Sequence, residues 1–523
     1  MALLRAITTL GSWTMASRVL GFVRDMLFAG VIGAGLVADA FFVAFKFPNF
    51  FRRLFAEGAF NAAFVPLFTD RLTKEGLAPA RAFAAQVASI MVCFMLALLL
   101  IAQMAMPWLM HVIAPGFAEQ PEKFALTIDL TRLTFPYLLF MALTALLAGM
   151  LNAMHRFAAT AAAPVILNIV MITVLLLVRA DMLPVPGPAL AWGVSIAGAG
   201  QFLWLVFAAK RAGIMVRLPR PRLTPGVRRV LVLMVPGMIG AGVVQVNLVI
   251  DVVLASLLPQ GSVSWLYYAD RINQLPLGVV GVAVGVALLP MLSRHLSAGA
   301  EEAASHTQNR AIEFALLLTV PAATAFIVMP DPIVRVLYES LPRLLLNRSA
   351  FGDADSVAAS GALAAFAAGL PAYVLIKALT PGFFARQDTA TPVKIAVFAM
   401  VMNVVIAVIL MQFIAHVGIA LATACSAWIN TALLAVVLRR RGHLRFDERL
   451  RRRTPRLVVA ALCMAGVLWA LQDFLPRYFG EAPLERLAVL AILVGVGAAV
   501  FAVLTLLFGV VRPTDLRTAL GRS

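Results

Sequence analysis

The sequence predicts an all-α polytopic membrane protein of about 14 transmembrane helices, each needing about 20 mostly apolar residues to cross a hydrocarbon core about 30 Å thick. Of its 523 residues, 62% are hydrophobic and only 13% are charged, and the mean hydropathy is +0.94. A soluble domain is about 45–50% apolar and about 25% charged, so a water-soluble globular enzyme is excluded. Apolar runs of spanning length recur along the whole chain. Cys93, Cys425 and Cys463 lie far apart inside such runs, and the histidines show no ligand spacing. Neither a disulfide framework nor a thiolate or imidazole metal site is indicated.

In chain order the candidate spans lie near 8–32, 36–68, 83–110, 125–152, 158–178 and 187–209. They continue near 229–257, 262–293, 311–330, 357–384, 393–414 and 417–438, and end with 456–474 and 486–511. The first run carries Arg18, Arg24 and Asp25 where a signal peptide would need an unbroken apolar stretch, so it reads as a span. A weak internal repeat relates Phe42 through Phe68 to Leu266 through Leu292, with Pro66 and Pro290 in register. It suggests two six-helix lobes, 1–228 and 229–440, followed by 441–523 with two further helices and a tail. Parallel repeats of this kind suit transporters that rock around a mid-membrane site.

Basic residues number 43 against 25 acidic, a formal +18. With the N-terminus inside, 28 Lys/Arg fall in the predicted cytoplasmic segments. Seven fall in the predicted outer loops: Lys123, Arg179, Arg335, Arg343, Arg348, Arg477 and Arg486. That bias places both termini in the cytoplasm. Topology therefore accounts for most of the excess charge, and no nucleic-acid partner is indicated. The run Arg449–Arg453 reads as a solvated, lipid-facing clamp.

The remaining eight cations, Arg18, Arg24, Lys46, Arg52, Arg53, Arg132, Arg271 and Lys377, lie within or at the edges of spans. An arginine at the centre of a membrane helix costs about 2.5–3.5 kcal/mol, so it normally faces a protein interior or a watery cavity. In the first span Arg18 and Asp25 are seven apart and share a face, as do Ser17 and Arg24, with Gly21 between them permitting close helix approach. Asp25 is expected to hold Arg18 and leave Arg24 for a ligand; a plain interhelical lock is the alternative. In the second span Asp39, Lys46 and Arg53 form one stripe, Pro48 should kink the helix, and Asn49, Arg52, Arg53 and Glu57 follow. Glu57 stands four residues after Arg53, an ordinary helix pair, and Arg52 is the favoured cavity residue, although either arginine can snorkel.

The eighth span opens with Trp265-Leu266-Tyr267-Tyr268-Ala269-Asp270-Arg271, and Asn273, Gln274 and Pro276 follow. Trp and Tyr beside a charge pair suit an interfacial belt, but the polar and kinking residues after Arg271 favour a cavity lining. A net-positive cavity suits an anionic cargo, and arginine's planar fork suits phosphate. The chain has no G-x-x-x-x-G-K-[ST] loop, no H-E-x-x-H, and no large hydrophilic loop; the longest outer loop, 331–356, is short and of mixed polarity. A drug exporter would want acidic and aromatic residues in place of clustered arginines. A membrane glycan polymerase would need a catalytic acid or base facing an outer cavity.

Three long motifs carry a family resemblance: Ser17-Arg18-Val19-Leu20-Gly21-Phe22-Val23-Arg24-Asp25, Ala38-Asp39-Ala40-Phe41-Phe42-Val43-Ala44-Phe45-Lys46, and Arg52-Arg53-Leu54-Phe55-Ala56-Glu57-Gly58-Ala59-Phe60. With Ser264 to Arg271 and Pro381-Gly382-Phe383-Phe384-Ala385-Arg386-Gln387-Asp388-Thr389, the chain resembles the MurJ (MviN) lipid II flippases over essentially its whole length. The resemblance implies the MOP exporter superfamily, two lobes of six helices plus two C-terminal helices, and a place in the bacterial inner membrane. It implies transport of undecaprenyl-pyrophosphate-linked peptidoglycan precursor (lipid II) to the outer leaflet, with membrane lipids around a monomer. A flippase for another lipid-linked oligosaccharide is the alternative.

The resemblance also implies residue roles. Arg18, Arg24, Arg52 and Arg271 match arginines that the family requires for substrate, and Asp39 matches a required aspartate. Asp25, Lys46, Arg53, Glu57 and Asp270 join Asp39 as candidates for gating or charge pairing. The last two spans would shape a groove for the lipid tail. Some relatives bind sodium, and here Asp251, Asn403 and Thr423 are the candidate oxygen ligands. Ala407, one turn after Asn403, offers no oxygen where such relatives carry an acid. Asp251 as a proton carrier or an interhelical hydrogen bonder is equally open, as is coupling to membrane potential. No other cofactor is implied.

Overall fold

A computed structural model describes residues 2–53, 60–475 and 482–511. Glu57 lies outside the described residues. The chain divides into two compact units, Met1–Ser264 and Trp265–Ser523. The first contains α1 (Ala2–Ile32), α2 (Leu36–Phe51), α3 (Phe60–Lys74), α4 (Leu77–Ile113), a tight turn at Pro115–Glu119, and α5 (Pro121–Thr134). It continues with α6 (Tyr137–Ala153), α7 (Phe157–Arg179), α8 (Pro186–Arg211) and α9 (Pro225–Ser256). The division falls inside α10 (Ser262–Ser297), and the second unit adds α11 (Glu301–Val328), α12 (Pro330–Arg335), α13 (Leu341–Leu346), α14 (Asp353–Phe384), α15 (Ala390–Arg440), α16 (Glu448–Phe474) and α17 (Pro483–Leu507).

Among the described residues there is no strand, and nine helical stretches are long and apolar enough to cross a membrane. The all-α, multi-pass class expected from composition is the one observed. Helices are the natural solution because a bilayer leaves every backbone N–H and C=O to be satisfied within the protein. One expected span is interrupted, and one expected boundary lies inside a single kinked helix. The segment 125–152 breaks at Phe135–Pro136 into α5 and α6, since proline cannot donate to the preceding turn. The boundary expected between the spans 393–414 and 417–438 falls at Ile414–Ala415, where α15 turns through non-helical backbone with Ala415 at φ 46°. Gly418 follows there because a Cβ would come within 2.6 Å of the Leu410 carbonyl carbon.

Side-chain donors repair the backbone where proline breaks it. Pro48 leaves the Ala44 carbonyl without its helical donor, and the Thr134 hydroxyl supplies one at 3.0 Å. Beside the Pro136 break, the Leu133 carbonyl accepts from the Ser195 hydroxyl. The core of the first unit is an aromatic ladder at helical spacing: Phe60, Phe64 and Phe68 stack at 5.0 and 5.6 Å, and Phe83 stacks on Phe64 at 5.8 Å. Each such pair adds about 0.5–1.5 kcal/mol beyond its buried area. The second core sets Val280, Val284, Leu288 and Leu292 of α10 with Leu375 and Leu379 of α14.

The segment 331–356 is more ordered than a short mixed loop. It forms α12, a wide helical turn at Val336–Ser340, and α13. Glu339, fully buried, organises it: Arg343 and Arg486 both reach its carboxylate at 3.1 Å, Arg335 stands at 3.7 Å, and the Ser356 hydroxyl donates at 3.4 Å. Three arginines counted as outer-loop charges therefore close on one carboxylate.

Candidate substrate-binding site

In α1 the structure departs from the expected pairing. Asp25 is buried and accepts from Arg24, at 3.1 Å from Nε and 2.7 Å from Nη2. Arg24, only 9% exposed, also donates from Nη1 to the Asn168 Oδ1 of α7 at 3.1 Å. The Asn168 amide nitrogen in turn donates to the Ser17 carbonyl at 2.9 Å. Arg18, expected to pair with Asp25, is exposed instead. The physical reason is reach. Adjacent helix positions point about 100° apart, but arginine's long arm curls round to its neighbour, and Asn168 draws it to that side. Gly21 allows α7 this close: a Cβ there would meet the Asn168 amide at 3.6 Å.

Asp39 in α2 has no solvent exposure and gathers four donors. Lys123 Nζ of α5 and the Gly261 N–H each reach Oδ2 at 2.8 Å, the Ser264 N–H reaches Oδ1 at 2.9 Å, and the Ser264 hydroxyl also donates to Oδ1. The carboxylate thus caps the start of α10, where unsatisfied N–H groups and the helix dipole favour an anion. Lys123 was counted as an outer-loop charge; it is 1% exposed, sits over the Phe117 ring at 4.0 Å, and neutralises Asp39. The partner of Asp39 in this structure is thus a lysine outside the expected spans.

The rest of the α2 stripe grades outward, with Lys46 half-buried and Arg53 exposed. Just after Pro48, the Asn49 amide donates to the Phe45 carbonyl at 3.0 Å and its oxygen accepts from Arg52 Nε at 3.0 Å. Asn49 therefore positions Arg52. In the second unit, Arg271 Nη2 donates to the Tyr267 hydroxyl at 3.0 Å and the guanidinium lies 4.9 Å from that ring's centre. Asp270 accepts from Gln274. The aromatic residues before Arg271 divide by role. Trp265 donates to Asp355 at 2.9 Å and packs on His416, whereas Tyr268 is fully buried against Tyr338 and Phe351.

The motif Pro381 to Thr389 proves to be a joint. Arg386 donates to the Gly382 carbonyl at 2.8 Å and to Glu301 at 2.5 Å, while Gly382 makes room for Gln308, which a Cβ would meet at 2.7 Å. Asp388 accepts from the Thr391 N–H at 3.0 Å and from Arg441 at 2.6 Å. The Thr391 hydroxyl and N–H and the Arg441 guanidinium hold its carboxyl well below the usual carboxylate range. A depressed folded-state pKa contributes stability above the unfolded value, near 4, and loses it as pH falls towards the folded value. Asp388→Ala is therefore expected to lower stability at neutral pH by about 1 kcal/mol, the worth of a capping carboxylate. The difference in thermal unfolding between wild type and variant should hold from about pH 7 to about pH 4 and narrow as the buffer is acidified further; a difference unchanged below about pH 4 would remove Asp388 from the account.

For sodium, Asp251 lies in α9 of the first unit, and Asn403 and Thr423 lie in α15 of the second. The Thr423 hydroxyl donates to the Ile419 carbonyl at 3.0 Å, and Ala407, fully buried, brings no oxygen. Among the described residues no group of three or more His, Cys, Asp or Glu could hold a metal. Within the second unit the candidate oxygen donors are the neutral side chains Asn403 and Thr423.

Two residues that organise the site were missed from the sequence. Asn168 had a usable signal, a lone amide inside the apolar run of α7. Lys123 had none, since it lies in a polar stretch outside the spans. Gathered by unit, the site residues comprise Arg18, Arg24, Asp25, Asp39, Lys46, Arg52 and Arg53 in the first, and Asp270 and Arg271 in the second.

A family model described as lipid II flippase MurJ matches residues 28–488. The chain is 44% identical to a probable lipid II flippase MurJ of Rhizobium tropici over 100% of its own length and 97% of the relative's. It is 35% identical to the lipid II flippase MurJ of Burkholderia cenocepacia over 94% of both. Among solved structures it resembles a lipid II flippase MurJ in an inward closed conformation, with TM-score 0.79 and 24% identity over 95% of this chain and 98% of that one. It also resembles an inward-facing multidrug resistance MATE transporter of the MOP superfamily, with TM-score 0.66 and 15% identity over 83% of this chain and 98% of that one. At these identities the structural likeness is one of fold. The sequence relatives and the family model decide the rest: the chain belongs to the MurJ lipid II flippase family.

Proposed function

We propose that this protein carries lipid II from the inner to the outer leaflet of the bacterial cytoplasmic membrane, as a monomer with both termini in the cytoplasm and without altering the lipid chemically. The observation that carries this reading is the full-length likeness to proteins named as lipid II flippases. The physical task is to move a pyrophosphate and its sugar-peptide head through a layer where unpaired charge is very costly. Arginine lowers that cost because its fork donates to two phosphate oxygens at once.

Arg24 is pre-oriented by Asp25 and Asn168, Arg52 by Asn49, and Arg271 by Tyr267. In this reading these three grip the pyrophosphate during the cycle, and Arg18 at the exposed end of the α1 stripe meets it early. The lobes are 1–228 and 229–440, and 441–523 guides the polyprenyl tail. Asp39 favours the state in which it caps α10 and lets go in the other, which supplies the differential interaction that switching needs. Cations that shift across the field couple this motion to membrane potential, worth about 2.3 kcal/mol per charge per 100 mV.

The test is rescue of a bacterium depleted of its own lipid II flippase, following the leaflet in which lipid II accumulates. Restored outer-leaflet lipid II is the expected result. Failure of an expressed and inserted protein would move the cargo to another lipid-linked oligosaccharide, and covalent change of lipid II by purified protein would make it an enzyme.

A further inference from the structure

A second arginine cluster, between α15 and α16, is left unused by transport. Most basic residues of 439–456 are engaged. Arg441 reaches Asp388 at 2.6 Å, Arg449 and Arg453 reach Glu313 at 3.1 and 2.5 Å, Arg452 pairs with Glu448, and Arg456 donates to the Phe508 carbonyl at 3.0 Å. Within the run expected to be a solvated clamp, Arg449, Arg451 and Arg452 are exposed as expected, and of its arginines Arg453 alone is buried. Arg439, Arg445 and Arg451 behave differently. They are exposed, have no acidic partner among the described residues, and line one groove of 490 Å³ with Leu444 and Phe446. Arg439 lies 5.2 Å from the centre of the Phe446 ring, which orients it without neutralising it.

The frame under the groove is fixed. Asp447 caps α16 through the Leu450 N–H at 2.8 Å and pairs with Arg310, while Asn309 holds the Arg445 carbonyl at 2.7 Å. Three cations lining one concavity repel each other unless an anion fills it. The helices leading away expose apolar residues, Val436 on α15 and Val458, Val459 and Leu462 on α16. The basic-residue bias assigns this end of both helices to the cytoplasmic side. The matching ligand has an anionic head and an apolar tail.

We propose that this groove binds the phosphate of an inner-leaflet lipid head group through Arg439, Arg445 and Arg451. Arginine forks suit phosphate oxygens, and juxtamembrane arginines gain from an anionic leaflet. The phosphate belongs either to a bulk anionic phospholipid or to a polyprenyl pyrophosphate, and the assignment does not depend on which cargo is flipped.

The test uses the full-length protein in neutral detergent and fluorescent phosphatidylglycerol followed by anisotropy, with fluorescent phosphatidylcholine as control. R445Q/R451Q is expected to bind phosphatidylglycerol about tenfold or more weakly. R440Q/R452Q removes the same formal charge outside the groove and should lose less than about twofold. Should the first variant fail to fold, R445K/R451K keeps the charge and loses the forks, with an expected loss of about threefold. Displacement by unlabelled phosphatidylglycerol but not by undecaprenyl pyrophosphate assigns the groove to bulk lipid; displacement by the pyrophosphate at lower concentration assigns it to a polyprenyl head group. Equal weakening by both glutamine variants, unchanged binding in the lysine variant, or equal affinity for phosphatidylcholine overturns the proposal.

Discussion

Asp39→Asn is expected to abolish flippase rescue and to destabilise the folded protein by about 3–5 kcal/mol, the cost of leaving one member of a buried ion pair unmatched. Lys123 is 1% exposed, and without the Asp39 carboxylate its ammonium keeps only the Phe117 ring among its described contacts. Asp39→Asn with Lys123→Met removes both charges, and replacing a buried pair with neutral groups of similar volume is often close to neutral. The double variant should therefore regain most of the lost stability in detergent unfolding. Its transport should remain lost, because an uncharged residue 39 holds the start of α10 without the strong charge-assisted bonds of the carboxylate. Recovery of transport together with stability would reduce Asp39 to a packing element and end its proposed role in switching.

Arg24→Ala is expected to bring rescue down to background while the protein still inserts. The arginine holds Asp25 and Asn168 together, so part of the damage is structural. Two further variants separate the parts. Arg24→Ala with Asp25→Asn leaves no unmatched buried charge and should recover about 2 kcal/mol or more of stability, with no return of transport. Arg24→Lys keeps the charge beside Asp25 but cannot present a planar fork, and transport should fall about tenfold or more with stability nearly intact. Near-normal transport by Arg24→Ala, with lipid II reaching the outer leaflet, would remove the arginine from the substrate site.

The spans were legible because a bilayer imposes one length scale on each segment separately, and a run of about 20 apolar residues meets it wherever it occurs. The missing helical donor at Pro48 and the close helix approach at Gly21 were legible for a similar reason, since both follow from the covalent chemistry of a single residue. The pairing at α1 was not. Helical phase alone put Asp25 with Arg18, yet the side chain from the adjacent position reached it, steered by an amide 144 residues away. The basic run before α16 likewise reads as one charged patch in sequence, but Glu313 of α11 divides it into engaged arginines and a free-standing groove.

The sequence by itself determined that the protein lives in a membrane, where its helices run, that cations are embedded in them, and which family motifs it carries. Those properties are local sums over apolarity, charge and spacing. Only the tertiary structure decided which cation meets which carboxylate. Asp39 finds Lys123 across 84 residues and the start of α10 across 222, and nothing in their neighbourhoods marks the match. An ion pair in low dielectric is won by whichever partner the packing of distant helices delivers at bonding distance, and that contest has no one-dimensional signature.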